Sequence, residues 1–356
     1  MHRIKSAYVL PIFTLLTSLV CFSSCGQNPQ KGDQLAAGII GNDRISLVLN
    51  EDQKSIEVTI DGVFFTSYIF PDSLEKPVLY PIMTAQGTPI TRGFPIAPRA
   101  GERFDHPHHI GLWFNYGDVN GFDFWNHSDA IAADKKDGYG TIFPVSYKAD
   151  ESKSQLSIVT EWKAPDGTVL IEEHTDFVFS QIETHRLIDR TSTLHAKENV
   201  SLTDNKEGFL GIRVSRALEH PSKKPEIFTD ANGIPSEVKV LNNDGVTGEY
   251  LSSEGIKGEA VWGTRAQWVA LNGIQNDEAV AITIYDHPEN IGYPTFWHAR
   301  GYGLFAANPL GQKVFSKGDL ELNAALKKGE SLTFKYRVMV SNGAKVDQNT
   351  ANQFTY

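Results

Sequence analysis

The stretch Gln155-Leu156-Ser157-Ile158-Val159-Thr160-Glu161-Trp162-Lys163, the break Pro165-Asp166-Gly167 and the run Thr168-Val169-Leu170-Ile171-Glu172-Glu173-His174-Thr175-Asp176-Phe177-Val178-Phe179 decide the fold. Side chains alternate along both arms with the period of 2 that suits a half-buried strand. Asp-Gly at the break favours the positive φ angles of a tight hairpin turn. Glu183 to Ala196 continues the alternation, so a meander is predicted.

The same pattern recurs outward from this hairpin. Before it stand Arg44 to Leu49, Ser55 to Ile60 and Val63 to Phe70, the last two joined by Asp61-Gly62. After it stand Glu259 to Gly263, Gln267 to Asn272, Ala279 to Tyr285, Gly303 to Ala307 and Ser331 to Val340. No window keeps a helical period for more than three turns, and no fixed-period repeat marks a propeller or solenoid. So many strands without helices between them predict an all-β chain. At this length the expectation is a large antiparallel β-sandwich of the galactose-mutarotase supersandwich type. A single domain is expected over 41–345, with 219–255, rich in proline, lysine, asparagine and glycine, as an excursion on its rim.

Residues 1–24 read as an export signal of the lipoprotein type, with His2, Arg3 and Lys5 ahead of an apolar run from Ala7 to Val20. That run is too short and too interrupted for a membrane span, which needs about 20 apolar residues. Phe22-Ser23-Ser24-Cys25-Gly26 resembles a lipobox, so Cys25 is expected to be lipidated, with 25–40 as a tether facing the periplasm. Cys21 then leaves with the signal and Cys25 carries lipid, which excludes disulfides, cysteine zinc sites and a cysteine nucleophile. Losing Arg3 and Lys5 takes the net charge from −10 to −12. An acidic chain without a basic stripe argues against nucleic acid or anionic lipid as partner. The expected partner is a carbohydrate or other small molecule, and the membrane is met only through the N-terminal lipid.

Chemistry concentrates in Phe104-Asp105-His106-Pro107-His108-His109-Ile110-Gly111-Leu112-Trp113, where three of the eleven histidines fall within four positions. Pro107 is expected to push His106 into an extended conformation. His106 and His108 then share one face and suit either a divalent metal or one substrate group, while His109 points the other way. The alternative is that these imidazoles only bond to backbone and to each other. Next comes the turn Tyr116-Gly117-Asp118-Val119-Asn120-Gly121 and the aromatic run Phe122 to Trp125. Asp118, Asn120 and Asn126 are candidates to take sugar hydroxyls and Trp125 to stack on a sugar face, against a reading of Trp113, Phe122 and Phe124 as core.

A second stretch, Asp286-His287-Pro288 through Phe296-Trp297-His298-Ala299-Arg300 to Asn308-Pro309, echoes the first. His298 and Arg300 alternate on one predicted strand, which suits an acid or base beside a cation that steadies an oxyanion; a salt-bridged arginine and a capped histidine are the other reading. A third candidate is Lys206-Glu207-Gly208-Phe209-Leu210-Gly211-Ile212-Arg213, where Glu207 and Arg213 either flank the cleft or form an ion pair. Glu219 and His220 follow, facing opposite ways if on a strand. No G-x-S-x-G elbow, P-loop, dinucleotide fingerprint or H-E-x-x-H helix is present.

Together, Asp105 to Phe114, Gly117 to Trp125, Lys206 to Arg213 and Tyr293 to Gly311 resemble the bacterial PmoA-like family, often labelled methane oxygenase PmoA, over about residues 40 to 342. The methane oxygenase subunit of similar name crosses the membrane repeatedly, and without its signal this chain has no apolar stretch long enough to do so, which sets methane oxidation aside. The resemblance implies exported proteins associated with sugar catabolism, alongside sugar oxidoreductases and enzymes that cleave keto-glycosides.

The function expected is a carbohydrate lyase, hydrolase or isomerase working by proton transfer on a glycoside or keto-glycoside. His106 and His108 serve as base or metal ligands, His298 as acid and Arg300 as oxyanion group. His109, Asp118, Asn120, Trp125, Glu207, Arg213 and Asn308 are the expected substrate contacts. No cofactor is required by the pattern, although a divalent metal on His106 and His108 fits it and leaves a metal-dependent hydrolase as a further alternative. A non-catalytic glycan-binding lipoprotein is the competing class, since it needs the aromatics and asparagines but not converging histidines.

Overall fold

Chain order and sheet order diverge from the first crossover. In the computed structural model, which describes residues 45–356, β1 (Ile45–Asn50), β2 (Ser55–Ile60), β3 (Val63–Ile69), β4 (Val78–Ile82) and β5 (Leu112–Tyr116) open one sheet. The chain then builds the second sheet with β6 (Thr141–Asp150), β7 (Gln155–Lys163), β8 (Val169–Ile182) and β9 (His185–Ala196). After the short β10 (Val200–Leu202) it returns to the first sheet for β11 (Gly208–Arg213), and to the second for β12 (Glu249–Ser252), β13 (Trp268–Gln275) and β14 (Glu278–Asp286). β15 (Phe296–Ala299) and β16 (Leu304–Asn308) rejoin the first sheet, β17 (Ala324–Leu326) pairs with β10, and β18 (Ser331–Asn342) completes the second.

The result is two eight-stranded antiparallel sheets, ordered β1-β2-β3-β4-β5-β11-β16-β15 and β12-β13-β14-β18-β9-β8-β7-β6. The predicted meander is the run β7, β8, β9, with Leu156, Ile158, Thr160 and Trp162 of β7 all turned inward. Asp61 and Gly62 adopt φ of +50° and +75° at the predicted hairpin turn. Between the sheets, Phe114 of β5 meets Trp162, Phe334 and Tyr336 of the opposite sheet, and one continuous apolar core follows. Each such large apolar side chain contributes about 1.5–3 kcal/mol by leaving water. The all-β antiparallel sandwich is therefore what this chain forms.

Several boundaries differ from expectation for local reasons. Glu259 to Gly263 is not a strand; Gly258–Val261 is a 3-10 turn bracketed by Gly258 and Gly263 at φ of +60° and +73°, which an extended chain cannot use. Strands β4 and β11 escaped prediction because they are short and buried almost throughout, so no alternation betrays them. The excursion over 219–255 ends at β12. The fold also runs past residue 345. The helix α2 (Gln348–Asn352), which follows the short α1 (Gln312–Phe315), docks through Trp268 Nε1 donating to Asn352 Oδ1 at 2.9 Å, and Arg337 donates to the Phe354 carbonyl at 2.9 Å. The predicted export signal, Cys25 and the tether lie outside the described residues. Among the described residues no helix is long and apolar enough to cross a membrane.

Candidate active site

On the face of the first sheet turned away from the core, the pairing Trp113 to Gly211, Gly211 to Ala306 and Ala306 to His298 sets four residues in one row across β5, β11, β16 and β15. Four adjacent strands put the ends of that row about 14 Å apart. Glycine and alanine keep its middle low, and the indoles of Trp113 and Trp125 lean over Gly211, meeting each other edge to face at 5.1 Å.

The histidine loop sits above this floor, and buried Arg92 shapes it. Its guanidinium donates to the carbonyls of Asp105, His106 and His109 at 2.8, 2.8 and 3.0 Å, and to Asp105 Oδ1 at 2.8 Å. Gathering those carbonyls closes a turn in which the His109 N–H donates to the His106 carbonyl, and His106 takes φ of +43°. The extended loop expected from Pro107 is therefore wrong, and His109 does not point away. His106, His108 and His109 all converge, with ring centroids 4.3 to 5.7 Å apart. His109 stacks on Trp113 at 5.2 Å, and His106 lies between His109 and Tyr302, parallel to both.

Beneath the loop lies a buried ionic bed. Asp105 Oδ1 takes Arg213 at 2.7 Å and stands 3.3 Å from His106 Nδ1. Burial by itself raises the Asp105 carboxyl, but Arg213, the His106 bond and Arg92 outweigh it and hold the group well below the usual carboxylate range. Glu219 is enclosed by Arg103, Arg216 and, at 3.9 Å, Arg213. Arg213 also reaches His109 Nδ1 at 3.3 Å; a guanidinium only donates, so that nitrogen accepts and Nε2 carries the proton. Burial keeps His109 neutral and pushes His108 down to about 2. The buried nitrogens His108 Nε2, His109 Nε2, Trp113 Nε1 and Trp125 Nε1 find no partner within the described protein. Each such group costs about 1–3 kcal/mol, and these four lie together around the histidine loop.

On the opposite wall His298 Nδ1 donates to the Lys206 carbonyl at 2.9 Å, with Glu207 Oε2 3.7 Å away. Burial pushes its pKa down to about 3, so His298 is a neutral acceptor with no acidic proton facing the cleft. Asn308 holds this wall by donating to the Asn205 carbonyl at 2.8 Å. β15 ends at Ala299, and Arg300 follows at the hairpin turn to β16, its N–H donating to the Leu304 carbonyl at 2.7 Å. Its guanidinium lies over the rings of Trp262 and Tyr302, at 5.3 and 5.5 Å, in a groove of about 420 Å³ that also meets His220, Lys224 and Glu226. Glu219 and His220 do face opposite ways, one into the ionic bed and the other into this groove.

Other expected contacts serve the scaffold. Asp118 accepts the Gly121 N–H, and the Asn120 side chain bonds both the Asn199 carbonyl and the Ser201 N–H, which ties down β10. Asn126 pairs with Asp123, and Trp125 is buried as floor instead of offering a sugar platform. Asp286, raised by burial to about 7, caps Thr295 and Asn290 at the end of β14, so the second Asp-His-Pro stays out of the cleft. Among the described residues no group of three or more His, Cys, Asp or Glu side chains is placed to hold a metal ion.

Three residues of the site carried no sequence signal of their own. Arg92 and Lys76 lie far from the histidines in sequence, and Tyr302 sits in a glycine-rich turn. Lys76 Nζ donates to the His108 carbonyl at 2.9 Å and stands 5.8 Å over the Trp113 ring; burial pushes its pKa down to about 7. Tyr302 is raised by burial to about 12, against the pull of Arg213 and Arg300.

Residues 55–355 match DUF6807, a family of unknown function. The chain belongs to that family. No curated protein matches it in sequence. Among solved structures it is similar to the GH36 α-galactosidase AgaB from Geobacillus stearothermophilus, with 10% identity, 84% of this chain and 41% of that one covered, and a TM-score of 0.38. It is also similar to a galactose mutarotase related enzyme from Lactobacillus acidophilus, with 9% identity, 85% and 98% covered, and a TM-score of 0.28. The DUF6807 chain thus spans about two fifths of the galactosidase. At such identities the likeness concerns the fold alone.

Proposed function

We propose that this DUF6807 protein is an exported carbohydrate-active enzyme that cleaves or isomerises a glycoside, a keto-glycoside included, by histidine proton transfer. One observation carries the reading: His106 is the open member of the cluster, its side chain 40% exposed, with Asp105 Oδ1 3.3 Å from its Nδ1. A carboxylate beside the ring stabilises the imidazolium that forms. In an elimination, His106 Nε2 takes the proton next to a carbonyl, the carbon–oxygen bond to the leaving group breaks, and Tyr302 gives its phenolic proton to the departing oxygen. The His106 proton then resets Tyr302 through solvent. Tyr302 replaces His298 as acid because it keeps its proton at neutral pH. Resemblance to the PmoA-like family supports the sugar class, and the lipobox supports attachment through Cys25. Cys25→Ser releasing the protein from the membrane fraction tests the attachment.

Turnover of a panel of glycosides and 3-keto-glycosides tests the chemistry. His106→Ala is expected to lower kcat/KM by about 10²-fold or more, as for a lost general base. Unchanged turnover in both His106→Ala and Tyr302→Phe refutes the mechanism. Trp262, 42% exposed beside the groove, favours the second reading, a glycan-binding protein. Tight glycan binding without product after long incubation selects it.

A further inference from the structure

The groove beside Tyr302 holds charge that the rest of this acidic chain does not predict. Arg103 is engaged by Glu219 and Glu226, and Lys223 by Glu259 at 2.5 Å. Arg300 and Lys224 have no carboxylate within ion-pair distance among the described residues, while both line the same groove. Arg300 lies against two aromatic faces, Trp262 and Tyr302, and no protein acceptor holds its guanidinium edge among the described residues. Stacking restrains the plane of an arginine without using its N–H fork, which matches the two oxygens of a carboxylate. Trp262, 42% exposed, adds an indole of the kind that takes a sugar ring, and Tyr302 joins the groove to His106.

We infer that this groove is a subsite for an acidic sugar, with the carboxylate of a uronic acid residue on Arg300 and Lys224, its ring on Trp262, and the bond to be processed directed toward His106. The inference rests on the carbohydrate reading above, but binding alone tests it.

Binding of the full chain to an array of neutral, uronate-terminated and sulfated glycans, followed by calorimetry on the best uronate and its neutral counterpart, is the experiment. Uronate glycans are expected to bind at least tenfold tighter than neutral ones, with the advantage shrinking between 50 and 300 mM salt as screening grows. Arg300→Gln is expected to remove the advantage and leave the weaker neutral binding in place, with Arg300→Lys keeping part of it. Trp262→Ala weakens both ligands. Equal binding of neutral and uronate glycans, retention of sulfated glycans alone, no binding of any glycan, or an Arg300→Gln variant that keeps the preference overturns the subsite. Uronate binding without turnover sinks the enzymatic reading while keeping the subsite, and turnover of neutral glycosides without a uronate preference does the reverse.

Discussion

The imidazole of His106 and the phenol of Tyr302 are parallel to within 5°, with ring centroids 5.0 Å apart. A loop after β4 and a turn between β15 and β16 thereby share one edge of the cleft, although 196 positions separate the two residues in sequence. Tyr302→Phe keeps the stack and removes only the hydroxyl. It is expected to lower kcat by tenfold or more with the thermal midpoint unchanged, whereas Tyr302→Ala also frees the His106 ring. Steady-state kinetics beside thermal unfolding separates the two, and equal rates for wild type and Tyr302→Phe remove tyrosine from the mechanism.

Asp105→Asn strips the carboxylate from Arg92 and Arg213, both buried. Breaking a buried pair costs about 3–5 kcal/mol, and since Asp105 is 27% exposed the lower end, about 3 kcal/mol, is expected from urea denaturation. Its folded pKa is depressed, so its stabilisation is fully present above the unfolded value near pH 4 and is lost as pH falls further. The variant is expected to lack that acid limb. A wild-type slope below about pH 4 in Asp105→Asn contradicts the ionic bed.

His298 and His108 are held neutral by burial, with pKa values pushed down to about 3 and about 2. The unfolded chain protonates them first, near pH 6.5, so their contribution is whole above that value and declines as pH falls toward 3. A thermal midpoint that drops between pH 7 and 5 is expected. His298→Asn, whose amide reproduces the bond to the Lys206 carbonyl, should reduce the slope by about one proton. An identical slope in that variant places the titration elsewhere.

Gly211→Ala adds a methyl that meets Trp113 Cζ2 at 2.7 Å and Trp125 Cη2 at 2.9 Å. Overpacking of this kind costs about 1–3 kcal/mol and tilts both indoles. The expected signs are a lower midpoint, a changed tryptophan emission and weaker turnover, since His109 stacks on the displaced Trp113. Wild-type emission and activity together place the cleft away from this floor.

The sandwich was legible wherever one strand face meets the core and the other meets water, as in β7 and β8, because burial on one side writes a period of 2 into the sequence. It was illegible in β11, where Gly208 to Arg213 are all buried and carry no alternation. The histidine cluster was legible as composition, but its geometry was not. Pro107 constrains only its neighbours, whereas Arg92 binds three carbonyls of the loop and overrides that local preference.

The sequence by itself therefore determined the all-β class and the meander, and it marked the three stretches that hold the candidate site residues. Tertiary structure decided that His106 is the open histidine, that His298 is neutral and buried, and that Tyr302 and Arg300 face the groove in place of Asp118 and Asn120. Local propensity depends on residues a few positions apart, which a sequence displays. Which nitrogen is free and which charge is paired depends on burial and on partners a hundred residues away, such as Arg213 at Asp105, and only packing brings those together.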